Sequence, residues 1–311
     1  MWIFYEDKYW DFILDKTIVF SFDKSGYKRH KSKFEGDLSQ KDLTGKISLV
    51  TGGTSGIGGE VAQELSGLGS KVFVTGRNEQ KGRSFIENNL NLHFHSLDMA
   101  NWNRIKDFCN KGNCFDYIVL NAGGMPDSLV LNDFSVEHQC ASQLIGHYYL
   151  IYMLKKYGKI NRHARIIWVS SGGMYLKKLD LDSLFHNQKY EKVSAYSNVK
   201  RAQVTLVEEL SRQERWKNVQ VFSMHPGWVG TYGLKEALPI FFSLMKNRLR
   251  DMKEGADTII WLLLTEESLT SGSFYFDRKI VSPYLSKNYN PTREQRIALM
   301  NKINNYIEKL L

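Results

Sequence analysis

Short apolar runs alternate along this chain with longer stretches in which apolar residues recur every three or four positions. The runs near 46–51, 71–75, 92–97, 116–120, 164–170, 219–225 and 273–276 predict buried strands. Between them 57–69, 100–111, 133–158, 195–215 and 250–265 carry helical spacing, and Ile57, Val61, Leu65 and Leu68 mark one such apolar face. A last helix is expected from Thr292, which stands in capping-box spacing with Gln295. Alternation of this kind predicts an α/β chain, a single doubly wound domain around a mostly parallel seven-stranded sheet with helices on both faces. A length of 311 residues suits one such domain better than two. Residues 1–45 read as an N-terminal extension, 46–285 as the main domain with an insertion at 174–194, and 286–311 as a C-terminal helix.

The candidate chemistry begins at the first strand-to-helix junction, Thr51-Gly-Gly-Thr-Ser-Gly-Ile-Gly58. Gly52, Gly56 and Gly58 permit a tight turn, close approach of the backbone to a pyrophosphate, and close packing of helix on strand. The N-terminus of that helix presents N–H groups and a partial positive charge to an anion. A glycine-rich loop alone is common; its place between a strand and a helix makes it a nucleotide site of Rossmann type, with Thr51, Thr54, Ser55 and Ile57 in the turn. Further along, Tyr196 and Lys200 stand four apart in a helical segment, so phenol and ammonium share a face. Roughly one free tyrosine in a thousand is phenolate at neutral pH. A neighbouring cation and a positively charged nicotinamide would bring the phenol toward working pH. Ser171, at the end of the strand Arg165–Val169, can hold a substrate oxygen beside the tyrosine.

In this order, over about residues 44–280, the motifs resemble the short-chain dehydrogenase/reductase family. The resemblance assigns the family's adenine-contacting acid to Asp98, its Asn-Ala-Gly turn to Asn121, Ala122 and Gly123, and its catalytic serine, tyrosine and lysine to Ser171, Tyr196 and Lys200. It also implies Pro226, Gly227 and Thr231 as the nicotinamide-side loop, and places Gln143 where the family commonly has an asparagine that supports a proton relay behind the lysine. Stretches such as Ser25-Gly-Tyr27 and Ser223-Met-His-Pro-Gly-Trp228 resemble a subgroup that shares the extension. The activity implied is interconversion of a carbonyl and an alcohol on a small-molecule substrate. NADP(H) is expected in preference to NAD(H), because Gly76 occupies the place of the usual ribose-binding acid and Arg77 follows it. Aromatic residues Trp228, Tyr232, Phe241 and Phe242 point to a lipophilic substrate, and Phe185, His186 and Tyr190 of the insertion are candidates to touch it. The alternative is a nucleotide-binding sensor or scaffold of low activity, which Gln143 and the extension favour.

Composition changes this picture mainly at the start of the chain. The hydrophobic fraction is 42% and the net charge +9. A mean hydropathy of -0.37 fits a globular chain, and a pI near 9.2 raises nucleic acid as a partner, but no nucleic-acid module is recognisable. Aromatic residues at Trp2, Phe4, Tyr5, Tyr9, Trp10 and Phe12 precede Lys24, Lys28, Arg29, Lys31 and Lys33. Such a segment either contacts an anionic membrane surface or docks on the catalytic domain with its lysines in water. Cys109, Cys114 and Cys140 match no zinc spacing and suit a reducing compartment. Acids precede any apolar core at the start, against a cleaved signal, and Ile259–Leu264 falls far short of the roughly 20 residues of a membrane span. The expected location is intracellular, cytoplasmic or peripheral on an intracellular membrane, and homo-oligomer formation stays open.

Overall fold

The computed structural model describes residues 14–15, 17–111, 113–186 and 189–311. The aromatic opening at Trp2–Phe12 lies outside the described residues. Two short helices come first, α1 (Ile18–Phe22) and α2 (Lys24–Lys31). Asp23 separates them, and its Oδ1 accepts from the N–H groups of Ser25 (2.9 Å) and Gly26 (3.0 Å), capping α2. A side chain at position 26 would run into the Ser21 carbonyl, which is why the Ser-Gly-Tyr stretch carries glycine there.

The catalytic part then alternates as the apolar pattern expects: β1 (Ile47–Thr51), α3 (Gly56–Gly67), β2 (Lys71–Gly76), α4 (Glu79–Ile86), β3 (Leu92–Ser96), α5 (Trp102–Lys111) and β4 (Phe115–Leu120). A π-helix at Cys140–Gly146 runs directly into α6 (His147–Lys156), followed by β5 (Ile160–Val169), α7 (Leu181–His186), α8 (Lys192–Leu210) and β6 (Gln220–Met224). Next come α9 (Tyr232–Ala237), α10 (Pro239–Met245), α11 (Met252–Leu264), β7 (Phe274–Phe276), β8 (Lys279–Ile280) and α12 (Arg293–Leu310). The capping box expected at Thr292 and Gln295 is present.

The strands form one sheet in the order β3-β2-β1-β4-β5-β6-β7-β8. All pairings are parallel except β7 with β8. Adjacent residues divide between the two faces, as the pleat requires. Leu49 packs into the core beneath the π-helix, α6 and α8, whereas Val50 packs beneath α3 and α11. The order reverses between β1 and β4, and a doubly wound sheet leaves its crevice at the carboxyl ends of such strands. Thr51 and Asn121 stand there.

The seven-stranded expectation falls one short, because β8 adds an eighth strand. It is two residues long and follows a two-residue hairpin in which Asp277 (φ 46°) and Arg278 (φ 60°) are both left-handed. Arginine is not a turn residue of that type, so the sequence carries no hairpin signal. The strain is held by ion pairs. Arg278 donates to Asp257 at 2.9 and 2.6 Å, and the Asp277 carboxylate receives Arg250 Nη1 at 2.6 Å and Nη2 at 2.8 Å.

That second pair fastens the extension to the sheet. Arg250 is fully buried, and its remaining N–H groups reach the carbonyls of Ser21 (3.0 Å), Phe22 (3.0 Å) and Pro226 (3.4 Å). His30 closes the cluster, with Nδ1 2.6 Å from Asp277 and Nε2 2.9 Å from Asp15. Of the two fates expected for the extension, residues 18–34 take the docked one: Phe22, Tyr27 and His30 are buried while Lys28, Lys31 and Lys33 face water.

Burial opposes the charge on His30, yet its hydrogen bonds and attraction to Asp15 and Asp277 outweigh it and raise the imidazole above its ordinary value. A group whose pKa is raised by folding contributes stability below its unfolded value, near 6.5, and loses it as pH rises through the folded value. The thermal midpoint is therefore expected to fall as pH is raised above about 6.5, and His30→Gln to flatten that limb. A midpoint that climbs with pH over this range, in differential scanning calorimetry, would contradict the clamp. Asp277 is buried too, but His30 and Arg250 hold its carboxyl below the usual range, so its contribution is lost only on the acid side.

Candidate active site

Each cleft residue stands where a strand ends. β1 ends at Thr51, whose buried hydroxyl oxygen accepts the N–H groups of Asn121 (2.9 Å) and Ala122 (3.0 Å), tying the two strand ends together. Asn121 Nδ2 returns to the carbonyls of Thr51 (3.1 Å) and Gly52 (3.3 Å). Gly52 (φ 63°) and Gly56 (φ 58°) are left-handed, and a Cβ at Gly58 would enter the Asn121 amide. Gly56 faces the methyl of Thr231, so the loop after β6 closes against the turn. Ser55 occupies the N-cap of α3 without a side-chain capping bond, which leaves the helix's first N–H groups for an anion. These residues fit a dinucleotide pyrophosphate on the chain's own geometry.

At the end of β2, Gly76 lies against Thr54, and any side chain there would crowd it, while Arg77 is exposed beyond. Asp98 is half-buried and one of its oxygens accepts the Ala100 N–H at 2.8 Å. Gly227 (φ 76°) lies against the Arg250 guanidinium, where a Cβ would collide, and Pro226 precedes it.

β5 delivers Ser171 and α8 delivers Tyr196 and Lys200 to the same place. The Ser171 side chain and the Tyr196 ring meet at Gly173, and the Ser171 hydroxyl accepts the Gly173 N–H at 3.1 Å. Lys200 Nζ sits 5.3 Å from the Tyr196 ring centre and donates to the Val169 carbonyl at 3.0 Å. Burial pulls the lysine down to about 7. Burial also raises the Tyr196 phenol, with the Ser171 hydroxyl opposing it. The expectation that Lys200 would bring the phenol toward neutral pH is thus not met by the protein's own groups. The ammonium lies over the ring and toward a carbonyl, not at the phenolic oxygen, and desolvation dominates.

Gln143 lies in the π-helix, and its amide reaches forward to the Gly124 carbonyl at 2.7 Å. Its main-chain carbonyl is crowded with donors: Gln203 Nε2 at 2.7 Å, His147 Nδ1 at 3.1 Å and Trp168 Nε1 at 3.4 Å. His147 escapes the sequence reading, though it stands four residues after Gln143 on the same face. Its Nδ1 faces a carbonyl and must carry the proton, so Nε2 accepts the Thr51 hydroxyl at 2.9 Å. Burial first, then Lys200, hold it neutral, near 3. One buried histidine therefore joins the glycine turn to the helix behind the lysine.

The insertion behaves otherwise than expected. Phe185 is buried and stacks on Tyr306 at 6.0 Å, away from the cleft. The Tyr190 hydroxyl donates to the Pro126 carbonyl at 2.5 Å, pinning the loop after β4. The side chain of His186 lies outside the described residues. On the far wall, Trp228 meets Phe241 edge-on at 5.1 Å and Phe22 at 6.0 Å, so the extension supplies an aromatic ring to the substrate side.

A doubly wound sheet with a phosphate-type turn and a Ser-Tyr-Lys cluster at its crevice defines a nucleotide-linked oxidoreductase. A family model described as short chain dehydrogenase matches residues 46–239, and the chain belongs to that family. Among its relatives, the human dehydrogenase/reductase SDR family member 12 is 31% identical over 294 residues, spanning 88% of this chain and 90% of that protein. Human retinol dehydrogenase 12 is 28% identical, over 81% of this chain and 84% of its own length. An uncharacterized protein from Mycobacterium paratuberculosis superposes with a TM-score of 0.69 at 20% identity, covering 86% of this chain and 95% of that one. The chain is a short-chain oxidoreductase acting with a nicotinamide cofactor. Among the described residues no helix is long and apolar enough to cross a membrane.

Proposed function

We propose that the protein interconverts a carbonyl and an alcohol on a lipophilic substrate with NADP(H), using Tyr196 as general acid in reduction and general base in oxidation. The observation that carries this reading is the convergence of Ser171, Tyr196 and Lys200 beside the glycine turn. When bound, the nicotinamide supplies or takes the hydride. The protein's part is to orient and to move a proton. Ser171 holds the substrate oxygen through a hydroxyl that lies on the phenol's side of Gly173. Tyr196, kept neutral by burial, gives its proton to that oxygen as the carbonyl becomes an alcohol. Lys200 holds the ribose and, protonated, supports the phenolate left behind. Gln143 keeps the Asn-Ala-Gly turn in place through Gly124. Asp98 would hold the adenine and Thr231 the nicotinamide amide, while Trp228 and Phe241 favour an apolar substrate, as does the likeness to a protein named for retinol. A panel of carbonyls and alcohols followed by NADPH absorbance tests the reading, and no turnover with any apolar member would contradict it.

Arg77 supports the choice of NADP(H). It is exposed, next to a glycine where a side chain would crowd Thr54, and a guanidinium pairs with a phosphate in bidentate fashion. NADPH is expected to bind about 10–100-fold tighter than NADH, since one charge-assisted contact contributes roughly 1.5–3 kcal/mol. Arg77→Ala should remove most of that ratio in calorimetric titrations. Equal affinities in the unmutated protein would remove the NADP assignment and leave the oxidoreductase standing.

One observation favours a second reading, a nucleotide sensor or scaffold with little turnover. Gln143, expected to support a relay behind Lys200, has its amide turned to the Gly124 carbonyl and its main-chain carbonyl taken by three donors. Tight NADPH binding with no turnover across the panel would select it.

A further inference from the structure

The end of the sheet that carries the cleft also carries exposed apolar side chains on several of its connectors. Leu129 and Leu131 follow β4, Leu176 follows β5, and Ile240 and Leu244 lie on α10 after β6. Connectors that leave the carboxyl ends of parallel strands all emerge around one crevice, so these tips lie at that end of the sheet. Ile240 and Leu244 are four apart on one helical face, 77% and 79% exposed, and α10 buries none of its residues. The extension adds Ile18, Val19 and Phe20 to the same rim. α1 is fixed there by the Trp228 N–H donating to the Phe22 carbonyl at 2.8 Å and by Arg248 stacked over Phe20 at 4.6 Å.

Single exposed aliphatics are ordinary, but Ile240 and Leu244 on one helical face, with Phe20 held by Arg248 just beyond that helix and further apolar tips at the same end of the sheet, mark an interaction surface. The charge beside it selects the partner. Exposed Lys178 adjoins Leu176, Lys235 lies on α9, Lys246 follows α10, and Lys28 and Lys31 stand on α2. The acids of the rim are partly engaged, Asp127 by Lys192 at 2.6 Å and Glu236 by the Tyr232 hydroxyl. Apolar tips with cations at their flanks match a bilayer whose head groups are anionic, where the tips enter the acyl boundary and the lysines stay at the surface. We propose that α10 and α1 form a membrane-docking face that seats the cleft mouth on an anionic bilayer. Its use in catalysis rests on the lipophilic-substrate reading; its existence does not.

The test is flotation of the full-length protein with vesicles of phosphatidylcholine alone or containing about one-third phosphatidylserine. Tryptophan quenching by NADPH and the thermal midpoint are measured in parallel. The unmutated protein should float with the anionic vesicles, less so as salt rises but not to zero, because the apolar part is unscreened. Ile240→Glu with Leu244→Glu should lower the partition coefficient at least about tenfold while keeping nucleotide quenching and the midpoint. Absence of flotation at low salt would overturn the proposal. So would flotation that survives this double substitution but is lost in Lys28→Glu with Lys31→Glu, which would make the contact purely electrostatic. A dimer seen by light scattering that the double substitution dissociates would instead assign the face to a second copy. Failure of the unmutated protein to bind NADPH would strike the proposed function and leave the flotation result intact.

Discussion

Tyr196→Phe is expected to lower turnover by about 10²–10⁴-fold or more, the usual contribution of general acid–base catalysis, while NADPH affinity stays within about twofold. The phenyl ring keeps the face over which Lys200 sits, so the local packing survives. The groups offered to the nucleotide, on the glycine turn, the Asn121 turn, Asp98, Arg77, Lys200 and Thr231, are all left in place. What disappears is the proton that must reach the substrate oxygen, and with it the hydroxyl beside Ser171. Single-turnover kinetics and a nucleotide titration on the same preparation separate the two effects. Activity retained in the variant would remove Tyr196 from the mechanism. Loss of nucleotide affinity as well would show that the Tyr196 hydroxyl contributes to nucleotide binding.

Arg250→Ala is expected to cost about 3–5 kcal/mol of folding stability, because it leaves a buried carboxylate without its main partner. All five guanidinium N–H groups are engaged, and the acceptors belong to the extension, the loop after β6 and the last hairpin. Asp277 would then be held by His30 alone, in a left-handed turn that the ion pair helps to stabilise. Arg250→Lys keeps the charge but loses the two-pronged geometry, so its cost should fall between the parent and the alanine variant. Urea midpoints measure both. A loss below about 1 kcal/mol for alanine would mean that the extension and hairpin hold without the clamp.

How much was legible in the sequence follows from which forces are local. Central strands of a parallel sheet are buried on both faces, so β1, β2, β4, β5 and β6 show as apolar runs. The glycine turn shows because only glycine fits its left-handed positions. The Tyr196–Lys200 spacing shows because α8 is regular. The segment 133–158 was less legible: one helix was expected, and a π-helix precedes α6 there, because an extra residue in a turn leaves the apolar pattern nearly unchanged. His147 and Arg250 were missed because their partners lie far away in sequence, Thr51 for one and Asp277 and the extension for the other. Phe185 is a candidate for the cleft from its place in the insertion, yet it stacks on Tyr306 of α12. The direction of the Tyr196 shift depended on burial, which spacing does not report.

The Arg250 clamp also has a consequence for synthesis. Ser21 and Phe22 leave the ribosome more than two hundred residues before the guanidinium that holds them and the carboxylate that anchors it. The nascent extension, with its apolar helix and Phe22, must wait while β1 to β6 are made and paired, and contacts so distant in sequence form late. The aromatic wall beside Ser171 is thus completed only when the last hairpin arrives. A chain truncated before Asp277 would present an assembled nucleotide crevice whose substrate side is still open.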